Sequence, residues 1–346
     1  TMCKYMKKIF IHIGTPKTGT TAIQKFLSEN YKKLLNAGYY YPIVGRGYRN
    51  NTRNISNPEI WMNGTVLKDL SSFKALLKKF DTLKSKNLIL SDECLFMKGS
   101  NDWYGEDIKK LLNNYEIKLI VYLRPAPDYL CGLWQESVKY RYTLTLEESI
   151  AKSNYYEELH TLKNLMCMIK RENVLIRIYD KKKLFKHNSV YDFAQSIKLV
   201  SPEKYIISSD KINTSLDRVS ANKILFFNKI ARLPPDDNSK LYKYITDSSN
   251  KGVSVLNSMP KKLHSSINKK YADIEEEITS KFFRGEKLFE DSDYTYVSVS
   301  DELDILFRLK ATLVACLFRF KATQVAILKK YYRTLIQRIK RYLPKN

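Results

Sequence analysis

The chain has 346 residues and a formal net charge of +24, with 44% hydrophobic and 28% charged residues. This length allows two or three domains, and the composition excludes a fibrous or a disordered protein. The excess of positive charge indicates an anionic partner, such as a nucleotide, an acidic glycan, an anionic lipid or a nucleic acid.

Cysteine spacing and hydropathy narrow the class of protein further. The five cysteines show no CxxC or Cys/His spacing, which predicts free thiols in a reducing compartment and no metal site. No stretch reaches 18 uncharged apolar residues, so we predict no transmembrane helix. The N-terminal apolar run is better explained as a strand than as a secretory signal, and we expect a cytoplasmic protein.

Apolar patterning predicts alternating strands and helices. KIFIHIG (8–14) is a buried-strand pattern, and the following helix, to about residue 35, has Ile23, Phe26, Leu27 and Leu34 on one side. Further predicted elements are a surface loop (45–65), a helix (66–82), a strand (87–93), a helix (105–114), strands at 117–124 and 173–180, and helices within 210–280. This alternation predicts a parallel β-sheet flanked by helices.

The connection after the first predicted strand, HIGTPKTGTT (12–21), has the composition of a phosphate-binding loop. A strand that leads through glycines into a helix N-terminus favours an anion, and Lys17 adds a positive charge. Gly14 and Gly19 would let the backbone approach the anion, while Thr20 and Thr21 would donate hydroxyls or cap the helix. Lys17 precedes Gly19, unlike the order G-x-x-x-x-G-K-[ST] of nucleotide triphosphatases. The alternative is an ordinary glycine turn.

The order P-K-T-G-T-T closely resembles the 5′-phosphosulfate loop of the PAPS-dependent sulfotransferases. In LIVYLRPAPDYLCGLW, Arg124 ends a strand, as does the arginine of the family's 3′-phosphate site, but the serine usual eight residues later is Gly132 here. KINTSLDRVSANKILFFNKI and FFRGEKLF resemble two segments of bacterial carbohydrate sulfotransferases. The resemblance covers roughly residues 7 to 295.

The resemblance implies a P-loop-NTPase-like fold and transfer of a sulfuryl group from PAPS to a hydroxyl or amine of a glycan or glycolipid, without a metal and with PAP as product. Lys17 would stabilise the leaving oxygen, and a backbone N–H at Gly132 or a neighbour would replace the absent serine. The implied nucleotide-binding residues are Pro16, Lys17, Thr18, Gly19, Thr20, Thr21, Arg124, Gly132, Arg284 and Gly285.

An acceptor hydroxyl needs a general base, and acids follow the strand at 87–93. Family members often have Ser-x-Glu here, which matches Ser91 and Glu93. Neighbouring strand residues point to opposite faces, so only one of Asp92 and Glu93 can face the acceptor, and we choose Glu93. The alternatives are an acidic helix cap, a role we assign to Asp92, and His12 as the base, although a histidine in mid-strand is more often packed.

Two further segments keep two interpretations each. Trp134, Lys139, Tyr140 and Arg141 are either an acceptor groove or a solvated basic face with a core tryptophan. Residues 305–346 contain eleven Lys or Arg and no Asp or Glu, with apolar residues at helical spacing. This basic tail either binds an anionic membrane surface or packs on protein.

We therefore predict a catalytic domain at 1–296 and a basic helical tail at 297–346. If the tail binds membrane, the protein would be peripheral on the inner face of the cell membrane. We expect no nucleic-acid partner. The alternatives are a P-loop nucleotide kinase or other NTPase, and a non-catalytic protein that binds membranes or nucleic acid.

Overall fold

The computed structural model describes most of the chain in two compact units. The first unit comprises described residues within 1–130, 153–214 and 265–293, and the second those within 131–152, 215–264 and 294–346. The described residues are 6–15, 17–44, 46–48, 60–93, 95, 105–180, 182–207, 216–230, 242, 244–245, 252–283, 287–289, 294–299, 307–308 and 311–312.

A five-stranded parallel sheet lies at the centre of the first unit. Its order is β2, β5, β1, β6, β7, and a separate antiparallel pair joins β3 to β4. The strands are β1 Lys8–Gly14, β2 Tyr39–Tyr40, β3 Arg46–Tyr48, β4 Ile60–Met62, β5 Asn87–Ser91, β6 Glu116–Leu123 and β7 Val174–Ile178.

Helices connect and flank these strands, which confirms the predicted α/β class. They are α1 Thr20–Glu29, α2 Tyr31–Asn36, α3 Leu70–Thr82, α4 Glu106–Leu112, α5 Ala126–Lys139, α6 Leu146–Ala151, α7 Tyr155–Cys167, α8 Ser189–Ser196, α9 Arg218–Ile230 and α10 Lys261–Phe282. None of the helices in the described part of the chain is long and apolar enough to span a membrane.

The core beside β1 follows from the apolar spacing of the sequence. Ile23, Phe26, Leu27 and Leu34 are each at most 2% exposed, as their shared helical face predicts. They pack with apolar residues of β1, β5, β6 and α8 in one cluster. The loop after β1 is therefore held between a buried strand and a buried helix.

Several predicted boundaries are wrong by a few residues, and side-chain hydrogen bonds explain two of them. The helix predicted from residue 20 to about 35 is broken at Asn30, whose side-chain amide donates to the Phe26 carbonyl (2.8 Å). The helix predicted from residue 66 starts as a 3₁₀ turn, Asn63–Lys68, and α3 begins after Asp69. The Asp69 carboxylate caps α3 by accepting from the Ser71 amide (3.1 Å). In the loop predicted at 45–65, β3 and β4 pair with each other.

The strand order places the topological switch point of the sheet between β1 and β6. The chain leaves β1 towards β2 on one side and leaves β6 towards β7 on the other. Ligands of parallel α/β sheets bind outside the carboxyl ends of the strands at such a point. The residues that follow β1 and β6, including Lys17 and Arg124, therefore lie where a ligand is expected.

The predicted domain boundary at residue 296 stays a prediction, because most of the segment beyond it lies outside the described residues.

Within the second unit, the Trp134 indole donates to the Leu144 carbonyl (2.9 Å), and Asn228 donates to the Val138 carbonyl (2.7 Å). Trp134 is 1% exposed and thus belongs to the core of this unit.

Candidate active site

The loop between β1 and α1 contains two residues in the left-handed backbone region. Gly19 is the N-cap of α1, with φ 77° and ψ 11°, and Lys17 has φ 71°. Glycine adopts this conformation without strain, but lysine does not, and such strain in a non-glycine residue is concentrated at functional sites. Lys17 is therefore held in an unfavourable backbone conformation at the switch point of the sheet.

Threonine hydrogen bonds tie this loop to the neighbouring strand. The Thr15 amide and hydroxyl both donate to the Tyr122 carbonyl on β6, at 3.1 and 3.3 Å. The Thr18 hydroxyl donates to the Thr15 carbonyl at 2.6 Å. The Thr18 hydroxyl is thus already used as a hydrogen-bond donor within the loop, where this bond shapes the backbone.

Both glycines of the loop make room for side chains of the protein. A Cβ on Gly14 would lie 2.3 Å from the Thr20 Oγ1, and one on Gly19 would lie 2.6 Å from the Ser189 Oγ. At such distances a side chain cannot be added without displacement of its neighbours. The glycines therefore let hydroxyl groups close around the loop, a packing role beyond the predicted approach to an anion.

The start of α1 fits a phosphate or sulfate group. The cap residue Gly19 has no side chain, no acidic residue lies in the first turn, and the predicted capping by Thr20 or Thr21 is not observed. The Thr20 Oγ1 is buried and has no hydrogen-bond partner among the described residues. The amides at a helix N-terminus and a hydroxyl that lacks a partner are donors that an anionic oxygen would satisfy.

Arg124 follows β6 and contacts the loop directly. Its Nη1 donates to the Lys17 carbonyl (3.2 Å), and its Nη2 forms an ion pair with Asp128 (2.9 Å). The guanidinium also lies 5.8 Å from the centroid of the Tyr179 ring, within cation–π range. Arg124 is 24% exposed, so its guanidinium lies beside the backbone of Lys17 at an accessible place.

The acids after β5 differ in exposure. Asp92 is fully buried, and its amide donates to the His12 carbonyl (3.1 Å), whereas Glu93 is partly exposed. Of the two, Glu93 is the one that solvent reaches, and its role as the base stays a prediction. The helix cap predicted for Asp92 is not observed, since Glu93 and Leu95 form turns and the next described helix is α4.

His12 lies inside the first unit. Its side chain is 0% exposed, its Nδ1 lies 2.8 Å from the Ser91 Oγ, and its ring contacts Phe193 at 5.0 Å. Burial lowers the pKa of His12 to about 3, because a charged imidazole would lose its hydration. Its Nε2 has no hydrogen-bond partner in the described part of the chain. The packed interpretation of His12 is favoured over a role as a base.

The remaining predicted ligands are placed in part. Gly132 lies in the interior of α5, where backbone N–H groups are used by the helix, so the replacement of the absent serine by this amide is disfavoured. Pro16, Arg284 and Gly285 lie outside the described residues.

Among the described residues, no group of three His, Cys, Asp or Glu could hold a metal ion. No disulfide joins the two described cysteines, Cys131 and Cys167.

Sequence reasoning missed a buried ionic network beneath the loop. The Asp192 carboxylate on α8 accepts from Tyr122 (2.7 Å), from Arg177 Nε (2.8 Å) and from the Phe185 amide (2.8 Å), and it forms a second bond with Arg177. Burial alone would raise the pKa of Asp192, but the hydrogen bonds, led by Arg177, outweigh it and lower that pKa. The signal in the sequence was an aspartate on the otherwise apolar face of α8.

No family model matches the chain. An uncharacterised protein from Archaeoglobus fulgidus is 27% identical over 150 residues, which are 43% of this chain and 40% of that relative. The chain therefore matches less than half the length of this curated relative.

Two solved sulfotransferases are similar in structure. A sulfotransferase from Alicyclobacillus acidocaldarius has a TM-score of 0.38 and 15% identity, over 70% of this chain and 96% of that chain. A mouse sulfotransferase in complex with PAP has a TM-score of 0.35 and 14% identity, over 81% of this chain and 86% of that chain. Neither similarity assigns an activity or a residue to this chain.

Proposed function

We propose that the protein is a PAPS-dependent sulfotransferase that transfers a sulfuryl group to a hydroxyl or amine of a glycan or glycolipid. The observation that supports it best is the hydrogen bond between Arg124 and the Lys17 carbonyl at the switch point of the sheet. This bond joins the loop whose sequence resembles a 5′-phosphosulfate site to the arginine expected at the 3′-phosphate. A nucleotide with phosphates at both ends of its ribose suits two such cations.

The residues of the loop have distinct proposed roles. Bound PAPS would supply the sulfuryl group and a phosphate leaving group. The amides at the start of α1 and the Thr20 hydroxyl would hold the phosphosulfate, and Lys17 would stabilise the negative charge that develops on the leaving oxygen. Glu93 would accept the proton of the acceptor hydroxyl. Positioning and charge stabilisation of this kind provide most of the catalysis in such group transfers.

Thermal stabilisation by nucleotides tests the donor. A ligand present at one hundred times its Kd adds about 2.7 kcal/mol to stability, which gives a clear shift in the unfolding temperature. We expect PAP to stabilise the protein far more than ATP does. Equal shifts with PAP and ATP would exclude a 3′-phosphate site at Arg124 and favour a nucleotide kinase.

Two substitutions separate binding from chemistry, with labelled PAPS and fractionated lipids and polysaccharides as acceptors. Lys17→Ala should lose most turnover, since it removes the cation at the leaving oxygen. Glu93→Gln should lower turnover by about 10²- to 10⁴-fold yet keep the affinity for PAP, because a base contacts only the acceptor. Near-normal turnover of Glu93→Gln, together with a loss in Asp92→Asn or His12→Ala, would show that another residue is the base.

A further inference from the structure

A cavity of about 240 Å³ lies within the second unit. One wall is formed by α9. Asn222 and Lys229 follow Arg218 by four and eleven residues, so the three side chains share one face of the helix. Thr145 and Glu147, at the start of α6, also line it, as does Arg308. Trp134, one of the residues named from the sequence as a possible acceptor groove, is in its lining, and none of the described residues predicted for nucleotide binding or catalysis is.

The cavity is positively charged, with three cations and one carboxylate in its lining. Arg218 is only 7% exposed, and its guanidinium lies 5.5 Å from the centroid of the Trp134 ring. Lys229 and Arg308 are exposed. Because a buried cation loses hydration, an anion that enters the same cavity is attracted more strongly than it would be at an open surface.

The neutral and acidic lining groups define the rest of the ligand. Asn222 and Thr145 can exchange hydrogen bonds with hydroxyl groups. The Glu147 carboxylate would repel a bare anion but accepts hydrogen bonds from hydroxyls. The ligand should therefore carry several hydroxyls together with a negative charge. The volume is below the roughly 300 Å³ at which pockets for drug-sized ligands begin, so one ring is the appropriate size.

We propose that this cavity binds one residue of an acidic saccharide, a sugar with a sulfate or carboxylate group. The anionic group would lie against Arg218 and the cations Lys229 and Arg308, and the ring hydroxyls would reach Asn222 and Glu147. The proposal concerns the second unit alone, and it does not depend on the donor site at Lys17.

Calorimetric titration of the full-length protein tests this site with three probes: a sulfated disaccharide, its unsulfated counterpart and inorganic sulfate. We expect the sulfated disaccharide to bind at least tenfold more tightly than either of the others. The double variant Lys229→Gln, Arg308→Gln should weaken this binding at least tenfold. The control variant Lys152→Gln, Lys262→Gln removes the same charge from exposed positions outside the cavity. Its affinity for the sulfated disaccharide should be within twofold of that of the wild type.

Two results would overturn the proposal. If inorganic sulfate binds as tightly as the sulfated disaccharide, the cavity recognises charge without a sugar. If the control variant loses as much affinity as the cavity variant, the effect is due to net charge and the cavity is not the site.

PAP titrations of the same variants keep this proposal distinct from the donor function. Lys17→Ala should weaken PAP binding and leave the disaccharide unaffected, and the cavity variant should do the reverse. Loss of disaccharide binding in Lys17→Ala would contradict a separate site. Absence of PAP binding in the wild type, with disaccharide binding intact, would exclude the donor function while this site stands.

Discussion

At the scale of single residues, Asp192 is the group whose loss should affect the candidate site most without contacting a ligand. Its carboxylate joins α8 to Tyr122, whose carbonyl holds Thr15 of the loop. Asp192→Asn leaves Arg177, whose side chain is 29% exposed, without its ionic partner. Loss of hydrogen bonds to a charged group costs about 1.5 to 3 kcal/mol. We expect a loss of that size in urea unfolding, together with weaker PAP binding.

Tyr122→Phe is the matched control for Asp192, since it removes one donor and leaves the ion pair. It should cost only about 1 kcal/mol of stability.

The pH dependence of stability gives a second check on Asp192. Because the pKa of folded Asp192 is lowered, its stabilisation is present above the unfolded pKa of about 3.9 and is lost as pH falls further. An Asn variant that equals Tyr122→Phe in stability would show that the network is not ionic in effect.

Glu275 on α10 should make the stability of the protein decrease as pH rises. Burial raises its pKa to about 7, above the value near 4.5 of an exposed glutamate, so the folded state binds the proton more tightly than the unfolded chain. Its stabilising effect is full below pH 4.5 and disappears as pH rises to 7. Glu275→Gln should exceed the wild type in stability at pH 8, by at most about 3 kcal/mol, and match it at pH 4.

The neighbouring Glu276 is the control for this effect, because it is exposed on the same helix. Glu276→Gln should change stability by less than about 0.5 kcal/mol at either pH. The measurement is chemical unfolding of the three proteins at pH 4 and pH 8. The same difference between wild type and Glu275→Gln at both pH values would contradict the raised pKa.

At the scale of elements, the loop between β1 and α1 can be tested with two glycines in the same backbone region. Gly19 and Gly38 have φ values of 77° and 87°. A Cβ added at Gly19 would meet Ser189, whereas a Cβ added at Gly38 would have no atom within 4 Å. Gly38→Ala should therefore cost about 1 to 2 kcal/mol, the backbone penalty alone. Gly19→Ala should cost more and also weaken PAP binding. Equal stabilities and affinities would show that the contact with Ser189 does not shape the loop.

The elements that the sequence predicted well are those with a strong local pattern. Apolar runs placed β1 and β6 correctly to within a residue, and the shared face of Ile23, Phe26 and Leu27 predicted the core side of α1. The break at Asn30 depends on a hydrogen bond within the helix that periodicity does not reveal.

The candidate site could be predicted only in part for a related reason. Lys17, Glu93 and Arg124 could be placed at strand ends, since chain position determines that. The partners of Arg124 and the buried state of Asp192 depend on contacts between distant segments, which composition and spacing do not encode.

At the scale of the whole molecule, the net charge of +24 and the basic tail lead to a prediction about membranes. Each basic residue near an anionic surface contributes about 1 kcal/mol, and salt screens this attraction. We expect the full-length protein to co-sediment with phosphatidylserine vesicles at low salt and to be released at high salt. Replacement of Lys329, Lys330 and Arg333 with Gln should abolish most of the binding.

A variant with the same loss of charge elsewhere distinguishes the tail from the net charge. Lys74, Lys78 and Lys262 are exposed, and their replacement with Gln removes three charges outside the tail. This variant should sediment with the vesicles like the wild type. If both triple variants are released equally, the tail has no special role, and binding follows overall charge.

The ion pair between Arg124 and Asp128 would affect the release of a bound nucleotide. If Arg124 binds a phosphate of the nucleotide, as proposed, the incoming group must compete with a carboxylate that lies 2.9 Å from the guanidinium. This competition would lower the affinity for the product nucleotide. The ion pair between Arg124 and Asp128 would form again when the product dissociates. If the proposed activity is correct, the ion pair lowers the affinity for the product nucleotide and thereby speeds its release.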